Sequence, residues 1–267
     1  MHRMKHVNTD TNNSACPVFV LGCAWRCGST LLQRLISSGK EALIWGEQNG
    51  FLFELMSIGN RLEGIRPLTE NQRADFERDG FGTWIANLNP SPDLFTTNVV
   101  RAFFESYYSQ ETQTLGFTRW GFKEVRYDFK SAQFLLKAFP EARVLFLIRP
   151  LHEVLASNAV SDFYDCAGSA AGVTDLWVKN TQSFLENPDE RILFVNYAEL
   201  SSGQALDSVC KHVGLRTPID SSLLGTKVRG AYSPPQLSQR ELDQLSRQDV
   251  RMLSEKLDMR YGKYMFR

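Results

Sequence analysis

The stretch VFVLGCAWRCGSTLL, residues 18–32, spells a strand, a turn and a helix start in that order. The apolar run from Pro17 to Gly22 has strand length and no polar alternation, which marks a strand buried on both faces. A short polar turn follows, and Gly28-Ser29-Thr30 opens a helical pattern that runs to about Ser38. Backbone N–H groups gather at such a helix start and favour an anion there. Arg26 adds a planar donor fork suited to phosphate or sulfate.

Outward from this stretch, apolar runs keep alternating with helical ones. Short strands are expected at 41–46 (EALIWG), 119–125 (RWGFKEV), 142–148 (ARVLFLI) and 191–197 (RILFVNY). Helical patterns occupy 129–139, the segment after Pro150, 174–187 and the end of 233–257. Between Gly50 and about Tyr108 the pattern is helical and aromatic, broken by LNPSPD at 88–93. The fold class is therefore α/β: a central parallel sheet flanked by helices in a three-layer, P-loop-like sandwich. One domain is expected over 16–267, with 1–15 a disordered leader and about 50–115 a helical insertion on the acceptor side. Ligands on such sheets bind beyond the carboxyl ends of the strands, so the residues just after Gly22, Trp45, Ile148 and Val195 carry the functional weight.

Composition narrows the partners. Lys+Arg and Asp+Glu balance at 30 each in 267 residues, so no global field favours nucleic acid or an anionic membrane. No apolar run approaches membrane-span length, and the N-terminal residues lack the apolar segment of a secretory signal. The expected location is the cytoplasm, with Cys16, Cys23, Cys27, Cys166 and Cys210 as free or buried thiols. The sequence does not indicate an oligomeric state.

The loop departs from the nucleoside-triphosphatase template G-x-x-x-x-G-K-[ST]. Counted from Gly22, that template wants glycine at 27 and lysine at 28, and the chain has Cys27 and Gly28. A Walker-B strand would end in an aspartate for Mg²⁺, whereas the strand at 142–148 runs into Arg149. An arginine there neutralises phosphate directly and would repel a metal ion. A kinase with degenerate motifs and a non-catalytic nucleotide-binding protein are the competing readings outside the one favoured below.

Two segments together make the chain resemble the sulfotransferases that use 3′-phosphoadenosine 5′-phosphosulfate (PAPS). RCGSTLLQRL (26–35) is similar to that family's 5′-phosphosulfate loop, usually R-S-G-[ST]-[ST]-L-L, with Cys27 in place of the serine. In LIRPLHEVLAS, Arg149 ends a buried strand and Ser157 follows eight residues on, the spacing of the family's 3′-phosphate site. The resemblance covers about Pro17 to Tyr197, with a weaker match further on. It implies PAPS as co-substrate and 3′-phosphoadenosine 5′-phosphate (PAP) as product, with no metal. Donor contacts would come from Arg26, Cys27, Gly28, Ser29, Thr30 and Leu31 at one end, and from Arg149 and Ser157 at the other. Tyr197 would lie near the adenine. GTKVRGAYS (225–233) resembles the loop closing over the 3′-phosphate, which nominates Lys227, Arg229 and Gly230.

Sulfuryl transfer needs a base for the incoming nucleophile and positive charge on the leaving group. His2, His6, His152 and His212 are poorly placed after the strands, so histidine is not expected as the base. Glu47, just past the second strand and 21 residues after Arg26, resembles the catalytic glutamate of the tyrosylprotein and related bacterial branches. Such a base benefits from partial burial, which Trp45, Phe51 and Phe53 are expected to provide. Lys123, in WGFKEV, is assigned to charge stabilisation in the transition state, with Arg26 assisting and Arg126 a second candidate. The expected acceptor is a hydroxyl or amine of a small molecule or natural product, with a glycan or lipid headgroup as the alternative. The Gly/Ala/Ser-rich segment 161–172 is a candidate lid, with Asp162, Tyr164 and Asp165 facing an acceptor.

Overall fold

The computed structural model describes residues 16–82, 88–161, 168–225 and 237–261. Five parallel strands form one sheet: β1 (Val18–Gly22), β2 (Ala42–Trp45), β3 (Arg119–Glu124), β4 (Arg143–Ile148) and β5 (Ile192–Asn196). Their order across the sheet is β2-β3-β1-β4-β5. Every strand runs the same way, so all five carboxyl ends reach one edge. The chain moves from β1 to β2 and β3 on one side, then crosses to β4 on the other. The order thus reverses at β1/β4, where ligands of such folds settle.

The strand predictions hold to within a residue or two. The reason is visible in the burial: β1 is buried at all five positions, and β3 and β4 at all but their first. A strand covered on both faces has to be continuously apolar, and that is the pattern the sequence shows. Helix α1 (Ser29–Ser38) packs on β1, β2 and β3, and α9 (Leu206–Val213) packs on β4 and β5. Beneath the β3 side lies an aromatic core. Phe104 stacks on Trp120 at 6.1 Å and Phe19 meets Phe122 at 4.8 Å, while on β4 Phe146 stacks on Phe184 at 4.0 Å. Such pairs add about 0.5–1.5 kcal/mol each beyond area burial.

The segment 50–115 resolves into α2 (Leu52–Glu63), α3 (Glu70–Asp79), a π-helical turn at Phe95–Val100 and α4 (Arg101–Thr114). Its aromatics divide between core and surface: Phe104 and Tyr108 are buried, while Phe103 and Tyr107 are exposed. α5 (Phe129–Ala138) starts at Asp128, whose carboxylate accepts from the Ser131 amide. α6 (Leu151–Ser161) follows Pro150, which cannot donate a hydrogen bond and loses nothing at a helix start.

Two expectations change. α7 (Ala170–Leu185) begins four residues before the expected 174, because the Ser169 hydroxyl caps it by accepting from the Gly172 amide. Residues 170–172 are therefore a helical turn rather than part of a lid. Residues 162–167, with Asp162, Tyr164, Asp165 and Cys166, lie outside the described residues. The expected C-terminal helix is two helices, α10 (Gln239–Leu245) and α11 (Gln248–Tyr261). Arg247 sits between them, paired with Asp249 at 2.7 Å and reaching Asp175 of α7 at 2.6 Å. α8 (Tyr197–Ser201) directly follows β5, with Asn196 as its cap accepting from the Ala198 amide. The four described cysteines are free thiols.

Candidate active site

The turn after β1 is held in an unusual shape. Arg26 has φ 67° and Gly28 has φ 99°, two left-handed residues within three. Gly28 is the N-cap of α1 and offers no side chain to its amides. The first turn of α1 also contains no acidic residue. The helix start therefore presents backbone donors that no side chain of its own first turn neutralises, an arrangement that suits an anion. Only glycine fits at 28, since a Cβ there would lie 2.4 Å from the Tyr197 ring.

Arg149, just past β4, donates from Nη1 to the Arg26 carbonyl oxygen at 3.0 Å. Arg26 in turn donates from Nε to the Ser157 hydroxyl at 3.3 Å. α6 runs past Ser157 to Ser161, which carries that hydroxyl back over the loop. Tyr197 lies with its ring 4.1 Å from the Arg149 guanidinium and against Gly28. Arg26, Gly28, Arg149, Ser157 and Tyr197, nominated from segments far apart in sequence, are thus one cluster at the β1/β4 switch point. Arg149 also pairs with Glu153 at 2.9 Å, one helical turn on. Ser29 is buried and Thr30 exposed at the start of α1, with Leu31 half-buried behind them. Lys227, Arg229 and Gly230 lie outside the described residues.

Cys27 points inward, fully buried, with Cys23 as its partner. The Cys23 thiol hydrogen bonds to it and pulls its pKa down to about 7, against the opposing effect of burial, with the Ser29 amide helping. Burial first, then Cys27, push Cys23 well above the ordinary thiol range.

On the other side of β1, the end of β3 carries a chain of alternating charges. Lys123 Nζ donates to Glu47 Oε1 at 2.6 Å. Arg126 Nη1 donates to Glu47 Oε2 at 3.2 Å and to Glu124 Oε1 at 2.6 Å. Glu47 and Lys123, assigned separate roles from sequence, are therefore a direct ion pair. Glu47 is not shielded by its aromatic neighbours. Its side chain keeps 31% exposure, while Trp45 donates to Thr112, Phe51 packs on Phe103 and Phe104, and Phe53 packs on Tyr127. Two cations hold it instead. Burial works against the charge on Arg126, and Glu124 with Glu47 overcomes that and raises its pKa. Arg126 also lies 5.4 Å over the Trp25 ring, which ties this array to the β1 loop.

Several residues that shape the site were not nominated from sequence. Asn180 donates to the Gly22 and Val125 carbonyls, Asn158 to that of Trp25, and the Trp177 indole to that of Arg149. These four bonds close the carbonyls at the mouths of β1, β3 and β4, where the strand ladder has ended. Trp177 and Asn180 lie three apart on the face of α7 that packs inward, and a buried asparagine within an apolar helical stripe is the signal that would have found them. His212 sits elsewhere: burial lowers its pKa, and Nε2 contacts the Val144 and Arg191 carbonyls near the amino ends of β4 and β5. Among the described residues there is no group of three or more side chains able to hold a metal ion. Nor is any described helix long and apolar enough to cross a membrane.

The chain is similar in structure to the sulfotransferase domain of the Synechococcus PCC 7002 olefin synthase: 18% identity, 86% of this chain and 81% of that one covered, TM-score 0.48. Sulfotransferase STF9 from Mycobacterium avium gives 16%, 95%, 79% and 0.48 in the same order. The sulfotransferase domain of the curacin biosynthetic pathway gives 19%, 95%, 95% and 0.47. Comparison with curated protein sequences returns no match. The sequence profile of the sulfotransferase family matches residues 17–218, well over half of the 267, and spans the loop after β1, the charged end of β3 and the Arg149–Ser157 pair. On that match the chain belongs to the sulfotransferase family.

Proposed function

We propose that this sulfotransferase moves a sulfuryl group from PAPS to a hydroxyl or amine of a small-molecule acceptor. Arg149 and Ser157 hold the donor's 3′-phosphate, and Arg26 with the start of α1, from Cys27 to Leu31, holds its 5′-phosphosulfate. Tyr197 offers a ring beside both. Lys227, Arg229 and Gly230 remain candidates for closing over the 3′-phosphate. Glu47 takes the proton from the acceptor O–H as its oxygen attacks sulfur. The bond between sulfur and the bridging oxygen breaks, and its electron pair stays on the phosphate of departing PAP. Lys123, with Arg26, carries positive charge to that oxygen as its negative charge grows. These cations do the work that a divalent ion does in phosphoryl transfer, and no metal is needed.

One observation carries the reading. A cationic cluster at the β1/β4 switch point and a Lys123–Glu47 pair of 2.6 Å at the end of β3 flank the same strand, β1, on its two sides. Anion binding and proton removal are thereby available on adjacent loops. The test uses ³⁵S-labelled PAPS with phenols, alcohols and amines, in the presence of EDTA. Label should pass to an acceptor, and Arg149→Ala should lose PAP affinity in calorimetry. Calorimetry showing no PAP binding to the wild-type protein rules the reading out.

A further inference from the structure

Glu124 is the most enclosed charged residue of the site, with no exposure at all, and its two oxygens are fully engaged. Oε2 accepts from the amides of Gln48 and Gly50, both at 3.2 Å. Oε1 accepts from the amides of Val125 at 2.9 Å and Arg126 at 3.3 Å, and from Arg126 Nη1 at 2.6 Å. One carboxylate therefore clamps two segments that are remote in sequence. They are the end of β3 and the loop that carries Glu47.

That loop needs a clamp. Asn49 has φ 54° and Gly50 φ 77°, two consecutive left-handed residues directly after the Glu47–Gln48 pair. Such a turn is costly in isolation and persists only where its surroundings over-determine it. The amides that Glu124 captures are those on either side of Asn49. Its other oxygen fixes Arg126, whose Nη1 also reaches Glu47 Oε2. Glu124 thus acts on Glu47 by two routes, through the loop backbone and through the shared guanidinium. The hydroxyls of Tyr108 and Tyr127 close the far side: Gln48 contacts both, and Tyr127 accepts from the Leu52 amide at 3.1 Å.

The geometry points to Glu124 as the positioning residue that holds Glu47 in place. This rests on the reading of Glu47 as the base. Glu124 has no exposed surface and acts through Glu47: it sets where the base sits. The residue type is dictated by the count of donors. Five donors converge on its two oxygens, three on Oε1 and two on Oε2, and a carboxylate is the side chain that accepts at both oxygens. Glutamine would turn an NH₂ toward groups that are all donors.

The experiment compares Glu124→Gln, Glu124→Asp and Glu47→Ala in the full chain. Three readouts are taken: PAP affinity by calorimetry, residue-level amide exchange, and PAP released from PAPS, with simple phenols and alcohols as acceptors and water where none is taken. In Glu124→Gln the Gln48 and Gly50 amides should exchange at least tenfold faster while the rest of the sheet keeps its protection. PAP affinity should stay within about twofold, and kcat should fall about 100-fold, the loss expected when a reacting group moves by roughly 1 Å. Glu124→Asp, which keeps the charge on a shorter stem, should recover part of kcat. A Glu124→Gln protein with unchanged kcat overturns the inference. Parallel losses of kcat, PAP affinity and sheet-wide protection also overturn it, since they mark a merely structural role. Should Glu124→Gln fail to fold, Arg126→Lys takes its place: it keeps a charge beside Glu124 but lacks the fork that reaches Glu47, so kcat should fall with the Gln48 and Gly50 amides still protected, and unchanged kcat counts against the proposal. If Glu47→Ala is itself fully active, the base reading fails. If Glu47→Ala is inactive while Glu124→Gln is active, only the positioning role fails.

Discussion

Glu47 and Lys123 share one ion pair of 2.6 Å, and that pairing makes their removal asymmetric. Glu47→Ala takes away the proposed base, and turnover should drop by about 10²–10⁴-fold, the usual contribution of general-base catalysis. It also releases Lys123 from a competing carboxylate, so PAP should bind as well as before or tighter. Lys123→Ala should lose about 10²–10³-fold in turnover, as when a single charge-stabilising donor is deleted, and should weaken PAP binding rather than strengthen it. Single-turnover rates and calorimetry on the two variants separate these outcomes. Cys27 gives a pH signature at the same scale. Its thiol, held at about 7 by Cys23, loses its proton as pH rises through neutrality, placing a negative charge under the loop between β1 and α1. A bound donor opposes that ionisation, so PAP affinity should fall as pH rises above about 7. The fall can reach tenfold per pH unit for one linked proton. The donor's own phosphate titrates near pH 6 in the opposite sense, and the ratio of wild type to Cys27→Ser isolates the thiol. A ratio that stays flat from pH 6 to 9 removes Cys27 from the account.

Among the elements, β3 meets the backbone of β1 closely at Gly121. A Cβ on Gly121 would lie 1.9 Å from the Val18 carbonyl oxygen and 2.9 Å from Ile44. The obstacle is backbone, so it cannot swing aside. Gly121→Ala should therefore push β3 off β1 and cost about 3 kcal/mol or more, at the upper end of overpacking effects. Urea unfolding monitored by tryptophan fluorescence reads it directly, Trp120 being the neighbour in β3. The same strand shows what the sequence could and could not disclose. RWGFKEV announces a strand through its apolar residues, and Lys123 is conspicuous in it. Glu124, adjacent in sequence, looks like a surface partner for that lysine. It is instead the buried end of a strand, and its real partners are amides 74 and 76 residues away. Periodicity reports which face is buried; it carries no information about which remote backbone arrives there. The five strands, the turn between β1 and α1 and the Arg149–Ser157 spacing were legible because each lies within one local segment. The Glu47 loop, the Asn158 and Asn180 bonds and the start of α7 were not, because tertiary contacts or a single capping hydroxyl decide them.

With 30 basic and 30 acidic residues the whole molecule has no net field, so on the proposed reading donor recognition depends on the local cluster of Arg26 and Arg149. That cluster joins β1 and β4 through α1 and α6, the two elements at the switch point. A ligand bridging it should stabilise the entire sheet against unfolding. At 100-fold excess over its Kd, PAP should add about 2.7 kcal/mol. For a chain of this size that corresponds to a rise in Tm of about 5–10 °C. Adenosine, which lacks both phosphates, should give little shift. Arg149→Ala should lose most of the PAP effect, because the arginine contributes both its charge and its bond to the Arg26 carbonyl. EDTA should leave the shift intact, since the positive charge comes from side chains, and added NaCl should reduce it by screening the two arginines. A shift of the same size with adenosine, or one that survives Arg149→Ala, would mean that the stabilising contact lies outside the β1/β4 cluster.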